Sequence, residues 1–258
     1  MDYKAILLEK KENIATLTLN RPEKLNALNE QMCEELIDCV SNLAKDATVK
    51  VIIISGSGRG FSAGLDLDWG RSMEEQAKRG EQVYDMPTWI TKICLALRNM
   101  PQPTIASING AAAGWGVTMP LNCDIRIAAE DARMLLSFVK VGIAPEMAST
   151  YMLPRLIGMG KAFELLYTGK TITGKEAKEI GLVNDAVPLA ELQAVTSELA
   201  KTIAGGIPMI IQLIKKGLYQ GLDADLYKQL LWEETTLRLT PSQRTLSKQQ
   251  RRETGAQI

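Results

Sequence analysis

Apolar and polar residues alternate through "IATLTL", positions 14–19, and a shorter apolar run, "AILL", precedes it across the polar turn "KKEN". Pro22 closes the second run, so the pattern predicts two short strands joined by a tight turn. From 29 to 45 the period changes: Met32, Leu36, Val40 and Leu43 recur at helical spacing behind Asn29, a residue suited to cap a helix. "VKVIIISG" is then a continuous β-branched run, the signature of a strand buried on both faces, and it breaks into "RGFSAGLDL". The unit recurs as the buried strand "PTIASI", the glycine-rich turn "NGAAAGWGV" and an apolar helix. A strand "IRIAA" from Ile125 and a short apolar stretch at 134–139 follow. Strands alternating with helices predict an α/β core with parallel strands.

Beyond residue 160 strand signals nearly vanish. "GKAFELLYTG", "GKEAKEIG", "LAELQAVTSELAKTIAG", "PMIIQLIKKGLYQG" and "ADLYKQLLWEETTLRL" read as amphipathic helices punctuated by Gly or Pro. A boundary near residue 200 separates a core, 1–200, from a helical C-terminal region, 201–258. Residues 70–92 are polar and charged and border the first glycine turn, which suits a mobile helix or loop beside a pocket. The polar tail "SQRTLSKQQRRETGAQI" is expected to fray or to cross to a neighbouring subunit.

Composition narrows the chemistry. With 258 residues, 46% of them hydrophobic, the chain can bury one large core. Thirty basic residues balance thirty acidic ones, so no global field recruits nucleic acid or an anionic membrane. No signal-like N-terminus and no apolar run near the ~20 residues of a membrane helix is visible, and the expected location is the cytoplasm. Cys33, Cys39, Cys94 and Cys123 form no CxxC pair and read as buried free thiols. There is no histidine. Serine and cysteine triads and most zinc sites thereby lose their usual parts, and acid–base work falls to carboxylates, tyrosine, lysine or backbone amides.

"GFSAGLDL" and "GAAAGWGV" each end an apolar strand. Small residues let a ligand approach the main chain, and unsatisfied amides at such turns could form a two-donor anion hole. Taken singly, each is also an ordinary tight turn, and neither keeps the GxGxxG spacing of a dinucleotide fold.

Together, "NRPEKLNAL" (20–28), "GFSAGLDL" (60–67), "NGAAAGWGVTMPLNCDIRIAA" (109–129), "VGIAPEMASTYMLPRLIG" (141–158) and "TGKTITGKEAKEIGLVNDAVP" (168–188) resemble the crotonase, or enoyl-CoA hydratase/isomerase, superfamily. The resemblance implies a crotonase (ClpP-like) fold, a spiral of ββα units with a helical C-terminal trimerisation layer. It implies an acyl-CoA thioester as the small-molecule substrate, with coenzyme A as part of that substrate and no tightly bound cofactor or metal. It also implies a homotrimer or dimer of trimers, while the balanced charge and the lack of a long apolar run speak against nucleic acid or membrane as partner. The family's oxyanion-hole amides fall on Leu65 and Trp115. Substrate-binding positions carried over are Lys24, Ala27, Ala63, Leu65, Asp66, Leu67, Gly114, Trp115 and Thr118, with Lys24 near the adenine end of CoA.

Hydratases of the family use two glutamates, and their positions here hold Thr118 and Phe138, neither an acid nor a base. Glu146, in "GIAPEMAST", falls where the family's Δ3,Δ2-enoyl-CoA isomerases carry their single catalytic glutamate. The resemblance therefore implies an isomerase in which Glu146 moves one proton. Its apolar neighbours Ile143, Ala144, Met147 and Ala148 suggest a desolvated setting; otherwise Glu146 is a solvated surface charge. The rivals are a hydratase on an unusual acyl group, with a water held by Thr118 or Asp68, and a non-catalytic acyl-CoA-binding protein. Asp66 reads as structural, Asp68 as a group that could face the acyl chain, and Trp69, Tyr84 and Trp89 as acyl-pocket or packing residues.

Overall fold

The computed structural model describes residues 3–81 and 86–240. Strands β1 (Ile6–Lys11) and β2 (Ile14–Leu19) pair antiparallel, with Ile6 opposite Leu19 and Lys11 opposite Ile14. Glu12 and Asn13 between them have φ of 50° and 65°, the left-handed pair that a two-residue hairpin turn needs. Helix α1 (Glu30–Lys45) starts where the spacing predicts, with the Asn29 side chain accepting from the Met32 amide.

The next segments are two copies of one plan. In the first, β3 (Val51–Gly56) leads through β4 (Gly60–Ser62) into α2 (Leu67–Lys78) and α3 (Met86–Asn99). In the second, β5 (Thr104–Ile108) leads through β6 (Ala111–Ala113) into α4 (Trp115–Thr118). The helix after the second turn is only four residues long, shorter than its apolar run suggests. Pro120 opens a 3-10 turn there, because a proline has no amide to continue the helix ladder.

The chain continues as β7 (Ile125–Ala129), β8 (Met134–Leu135), α5 (Phe138–Val141), α6 (Ser149–Thr168) and β9 (Thr171–Ile172). After these come α7 (Gly174–Glu179), β10 (Asp185–Val187), α8 (Leu189–Ala204), α9 (Pro208–Gly221) and α10 (Leu226–Leu239). The helical segments expected after residue 160 are all present. Helix α6 is broken at Gly158, whose φ/ψ is 74°/157°.

The main sheet runs β1-β2-β3-β5-β7-β10 and is parallel from β2 onward. Its central strands are the β-branched runs, with Val51, Ile52 and Ile105 at most 1% exposed. A second sheet, β4-β6-β8-β9, is made of strands two or three residues long, too short to leave a periodic trace in sequence. Because β3 pairs with β5 and β4 with β6, both in parallel, the two plans lie side by side and their glycine turns are brought together.

Helix α8 lies across β2, β3, β5 and β7, while α10 packs on α9. Helix α9 is tied to the core by Lys215, whose Nζ donates to the Gln102 carbonyl (2.9 Å) and pairs with Asp124 Oδ2 (2.9 Å), and by Tyr219, whose hydroxyl donates to Asp124 Oδ1 (2.9 Å). The outer faces of α9 and α10 leave Leu218, Leu226, Leu237 and Leu239 at least 70% exposed. All four cysteines are buried and free, and burial pushes the Cys33 and Cys123 thiols up to about 12. Among the described residues, no helix is long and apolar enough to cross a membrane.

Candidate active site

The first glycine turn is held by a parallel bridge between Leu28 and Leu65. Leu28 N donates to Gly64 O (2.7 Å) and Asp66 N donates to Leu28 O (2.9 Å). Both bonds of the bridge flank Leu65, so its own N–H points to the opposite side. The second turn presents the Trp115 amide, the first N–H of α4 and therefore one without an intrahelical acceptor. Among the described residues neither amide has a hydrogen-bond acceptor.

The two turns touch at their glycines. A Cβ added to Gly64 would lie 2.7 Å from Ala113 O and 3.7 Å from Trp115 N, and one added to Gly116 would lie 2.1 Å from Ser62 O. Only hydrogen fits at these places, and the fit brings the loops that carry the Leu65 and Trp115 amides into contact. Gly114, between β6 and α4, has φ 49° and ψ −116°, which turns the chain so that the Trp115 amide is left free.

Glu146 meets this arrangement through Thr118, the last residue of α4. The Thr118 hydroxyl, completely buried, donates to Glu146 Oε1 in a short hydrogen bond. Thr118 is three positions along α4 from Trp115, an axial rise of about 4.5 Å, so the hydroxyl that holds the carboxylate and the second amide belong to one short helix. The other carboxylate oxygen, Oε2, is buried and has no partner among the described residues. Burial pushes the carboxyl up to about 7, and the Thr118 bond opposes the rise without cancelling it.

The local backbone explains how Glu146 reaches inward. Met147 and Ala148, which follow it, both have φ of 55°, a left-handed pair of non-glycine residues costing about 1–2 kcal/mol each. The bend returns the Ser149 amide to Glu146 O (3.0 Å) and starts α6. The apolar neighbours read from sequence do not bury the carboxylate as a group. Met147 is 3% exposed, but Ile143 is 51% exposed and Ala144 and Ala148 are also exposed. Desolvation comes from across the fold instead, from Thr118, Asn122 and the Cys94 face of α3. Phe138 is buried at the start of α5 and is apolar.

Other residues singled out by sequence have different surroundings. Asp66 is 6% exposed, caps α2 by accepting from Asp68 N, and pairs with Arg21 (2.8 Å), which also donates to Ala27 O. Arg21 was not visible as a site residue, although an arginine within the first matched block was the available signal. Asp68 is exposed, and its oxygens pair with Lys24 (2.8 Å) and Arg71 (2.6 Å). The Thr118 proton goes to Glu146, which leaves its hydroxyl oxygen only as an acceptor toward any further group.

Lys24 is thus paired and lies in a groove of about 620 Å³ beside the first turn, lined also by Arg21, Asn29, Asp66, Asp68 and Trp69. Ala27 is buried, Ala63 exposed, Leu65 half-buried and Leu67 73% exposed. Trp69 and Trp89 pack partly buried against the core, and Lys92 lies 5.2 Å from the Trp89 ring. Tyr84 lies outside the described residues.

Comparison with known proteins converges on one family. The profile described as "Enoyl-CoA hydratase/isomerase" matches residues 9–255. The chain is 34% identical to the short-chain-enoyl-CoA hydratase of Clostridium acetobutylicum over 234 residues, 90% of this chain and 88% of that one. Among solved structures it superposes on an enoyl-CoA hydratase from Bacillus anthracis with a TM-score of 0.88 at 34% identity, covering 97% of this chain and 98% of that one. It also superposes on a monofunctional enoyl-CoA isomerase from M. smegmatis, with a TM-score of 0.75 at 35% identity and coverage of 88% and 98%.

Proposed function

The chain belongs to the enoyl-CoA hydratase/isomerase family of the crotonase superfamily and is an enzyme of its acyl-CoA double-bond chemistry; from that premise we propose that it is an isomerase, with Glu146 as its single acid–base group. The observation that carries the reading is one carboxylate with Oε1 fixed by Thr118 and a buried Oε2 unpaired among the described residues, held by the same short helix that begins with a free amide.

The steps balance without any other reactant. On a 3-enoyl-CoA, the Glu146 carboxylate takes a proton from C2, which lies between the thioester carbonyl and the double bond. The electron pair moves onto the thioester oxygen, giving a dienolate, and the amides of Leu65 and Trp115 hold the negative charge where it develops. The Glu146 carboxyl then returns the proton at C4, and the double bond lies between C2 and C3. A carboxyl pushed up to about 7 is matched to both halves, since it is basic enough to take the proton and acidic enough to give it back near neutral pH.

Hydration makes a further demand, because one group must activate water while another protonates carbon. The two positions at which hydratases carry carboxylates hold Thr118, which is committed to Glu146, and the apolar Phe138. This favours isomerisation over hydration. Carboxylates also line the groove at Lys24 and Arg21, so Lys24 would have to exchange its pairing with Asp68 for a phosphate of CoA. The region after about residue 200, with the exposed leucines of α9 and α10, suits burial against further copies of the chain in a trimer or a dimer of trimers. Four unpaired thiols suit a cytoplasmic setting.

Separate incubation of a 3-enoyl-CoA and a 2-enoyl-CoA tests the proposal. Double-bond migration without 3-hydroxyacyl-CoA is expected, and migration is expected to disappear in Glu146→Gln. Hydration that survives Glu146→Gln, in the absence of migration, would reject the assignment.

A further inference from the structure

Asn122 lies in the turn after α4 and is completely buried. Its Nδ2 donates to the Thr118 carbonyl (3.2 Å) and to the Met147 carbonyl (2.9 Å), and its Oδ1 accepts from the Cys94 thiol (3.2 Å). Thr118 is the residue that grips Glu146, and Met147 is the residue that follows it. One side chain therefore ties together the two backbone segments whose relative position decides where the Glu146 carboxylate lies. We propose that Asn122 is a positioning residue for the reaction, a clamp that holds the Glu146 loop against α4 and α3. The inference rests on reading Glu146 as the acid–base group.

The chemistry of the clamp is specific to a short amide. Two carbonyl oxygens must be satisfied by donors and a thiol by an acceptor, and a neutral side chain of this length that offers both is asparagine. An apolar group of similar size would leave two buried carbonyls without donors. The left-handed pair Met147–Ala148 would then lose the bond at Met147 O that opposes its relaxation, and the Glu146 side chain would be released toward water. Positional release of this kind is costly because a displacement of about 1 Å can lower a rate roughly 100-fold.

Few other groups bear on the Glu146 charge. From α4 it is met by the Thr118 hydroxyl, and from α3 by the Cys94 thiol, which burial holds neutral. Arg98, the next residue of that α3 face toward its end, donates to Met152 Sδ and stacks on Tyr151 and Tyr219, and makes no ion pair with the carboxylate among the described residues. A shift in the titration of Glu146 on changing Asn122 thus reports solvation of the loop.

The test is Asn122→Leu, compared with the unaltered enzyme in three measurements. Turnover of a 3-enoyl-CoA is expected to fall roughly 100-fold, with KM changed about threefold or less. The acidic limb of the rate profile, near pH 7, is expected to move downward as Glu146 gains water. The Glu146 carboxyl, followed by carbon-13 NMR with no substrate present, should show the same downward shift. If the leucine variant does not fold, Asn122→Ala is measured in the same way, with the same expectation. Glu146 titrating at its original pH in the folded variant, with turnover lost only in proportion to unfolded protein, would overturn the clamp. The NMR titration involves no turnover, so it decides the clamp even if Glu146→Gln shows the isomerase reading to be wrong.

Discussion

Glu146 and Asp124 are both carboxylates set into the core, and the protein treats them in opposite ways. Asp124 is surrounded by donors: the Thr104 amide (2.7 Å) and Lys215 Nζ (2.9 Å) on Oδ2, and the Tyr219 hydroxyl (2.9 Å) on Oδ1. Glu146 has one hydroxyl on one oxygen and none on the other. Full pairing makes Asp124 the anchor of α9. Under-pairing leaves the Glu146 charge exposed to the cost of desolvation, which makes the carboxyl a stronger base. A buried charge with all its partners serves structure, and one deprived of them is free to exchange a proton.

The largest effect that would break this contrast is on turnover. Glu146→Gln keeps the shape of the side chain and removes the base, and isomerisation should fall by about 10²–10⁴-fold while acyl-CoA still binds, as read by steady-state rates and calorimetry. An unchanged rate would mean that the unpaired oxygen does no chemistry.

Next comes the anchor. Lys215→Met leaves Asp124 without its cation and should cost about 3–5 kcal/mol in denaturant unfolding, with kcat of the folded protein nearly unchanged. A catalytic loss larger than the stability loss would show that the two regions are not separable.

A smaller effect has the opposite sign and sharpens the comparison. The folded-state carboxyl of Glu146 is raised to about 7, above the range of an unfolded chain, so between roughly pH 4.5 and 7 the folded protein holds a proton that the unfolded one has released. Stability on this account is highest in acid, falls as pH rises through that window, and is fully reduced above it. Glu146→Gln should therefore stabilise the fold by about 2–3 kcal/mol at pH 8 and by almost nothing near pH 4, as measured by unfolding across that range. Stabilisation that did not vary with pH would contradict the burial of an ionised group.

The smallest change is Thr118→Val. It removes the bond that lowers the Glu146 proton affinity, so the acidic limb of the rate profile should move upward, with a loss of about 1 kcal/mol in transition-state stabilisation near neutral pH. A limb that moved downward would place water, not apolar surface, around the carboxylate.

Much of the scaffold was legible in the chain. The hairpin at Glu12 and Asn13, the Asn29 cap, the buried strands Val51–Gly56 and Thr104–Ile108, and the helices from α7 to α10 follow from periodicity and turn residues. The second sheet was not legible, because strands of two or three residues carry no period. The site was legible only in part. Glu146 and the two glycine turns stand out by motif, but the apolar neighbours that suggested a dry carboxylate are largely exposed, and the groups that dry it come from α3 and α4. Asn122 was missed, although a lone amide in the apolar stretch "MPLNC" was the available signal. The pairing of Asp68 with Lys24 and Arg71 was not legible either, because a carboxylate near a pocket in sequence gives no hint of its partners.

By itself the sequence determined the longer strands and helices, that histidine chemistry is absent, and which glycine turns and carboxylate belong to the family pattern, since these depend on local spacing and residue type. Only the tertiary structure decided that Glu146 is unpaired on one oxygen among the described residues, that Thr118 bonds its carboxylate while Asn122 ties the Thr118 and Met147 backbones together, and that Asp68 pairs with Lys24 and Arg71. Those outcomes depend on desolvation and on partners remote in the chain, and neither is encoded by near neighbours.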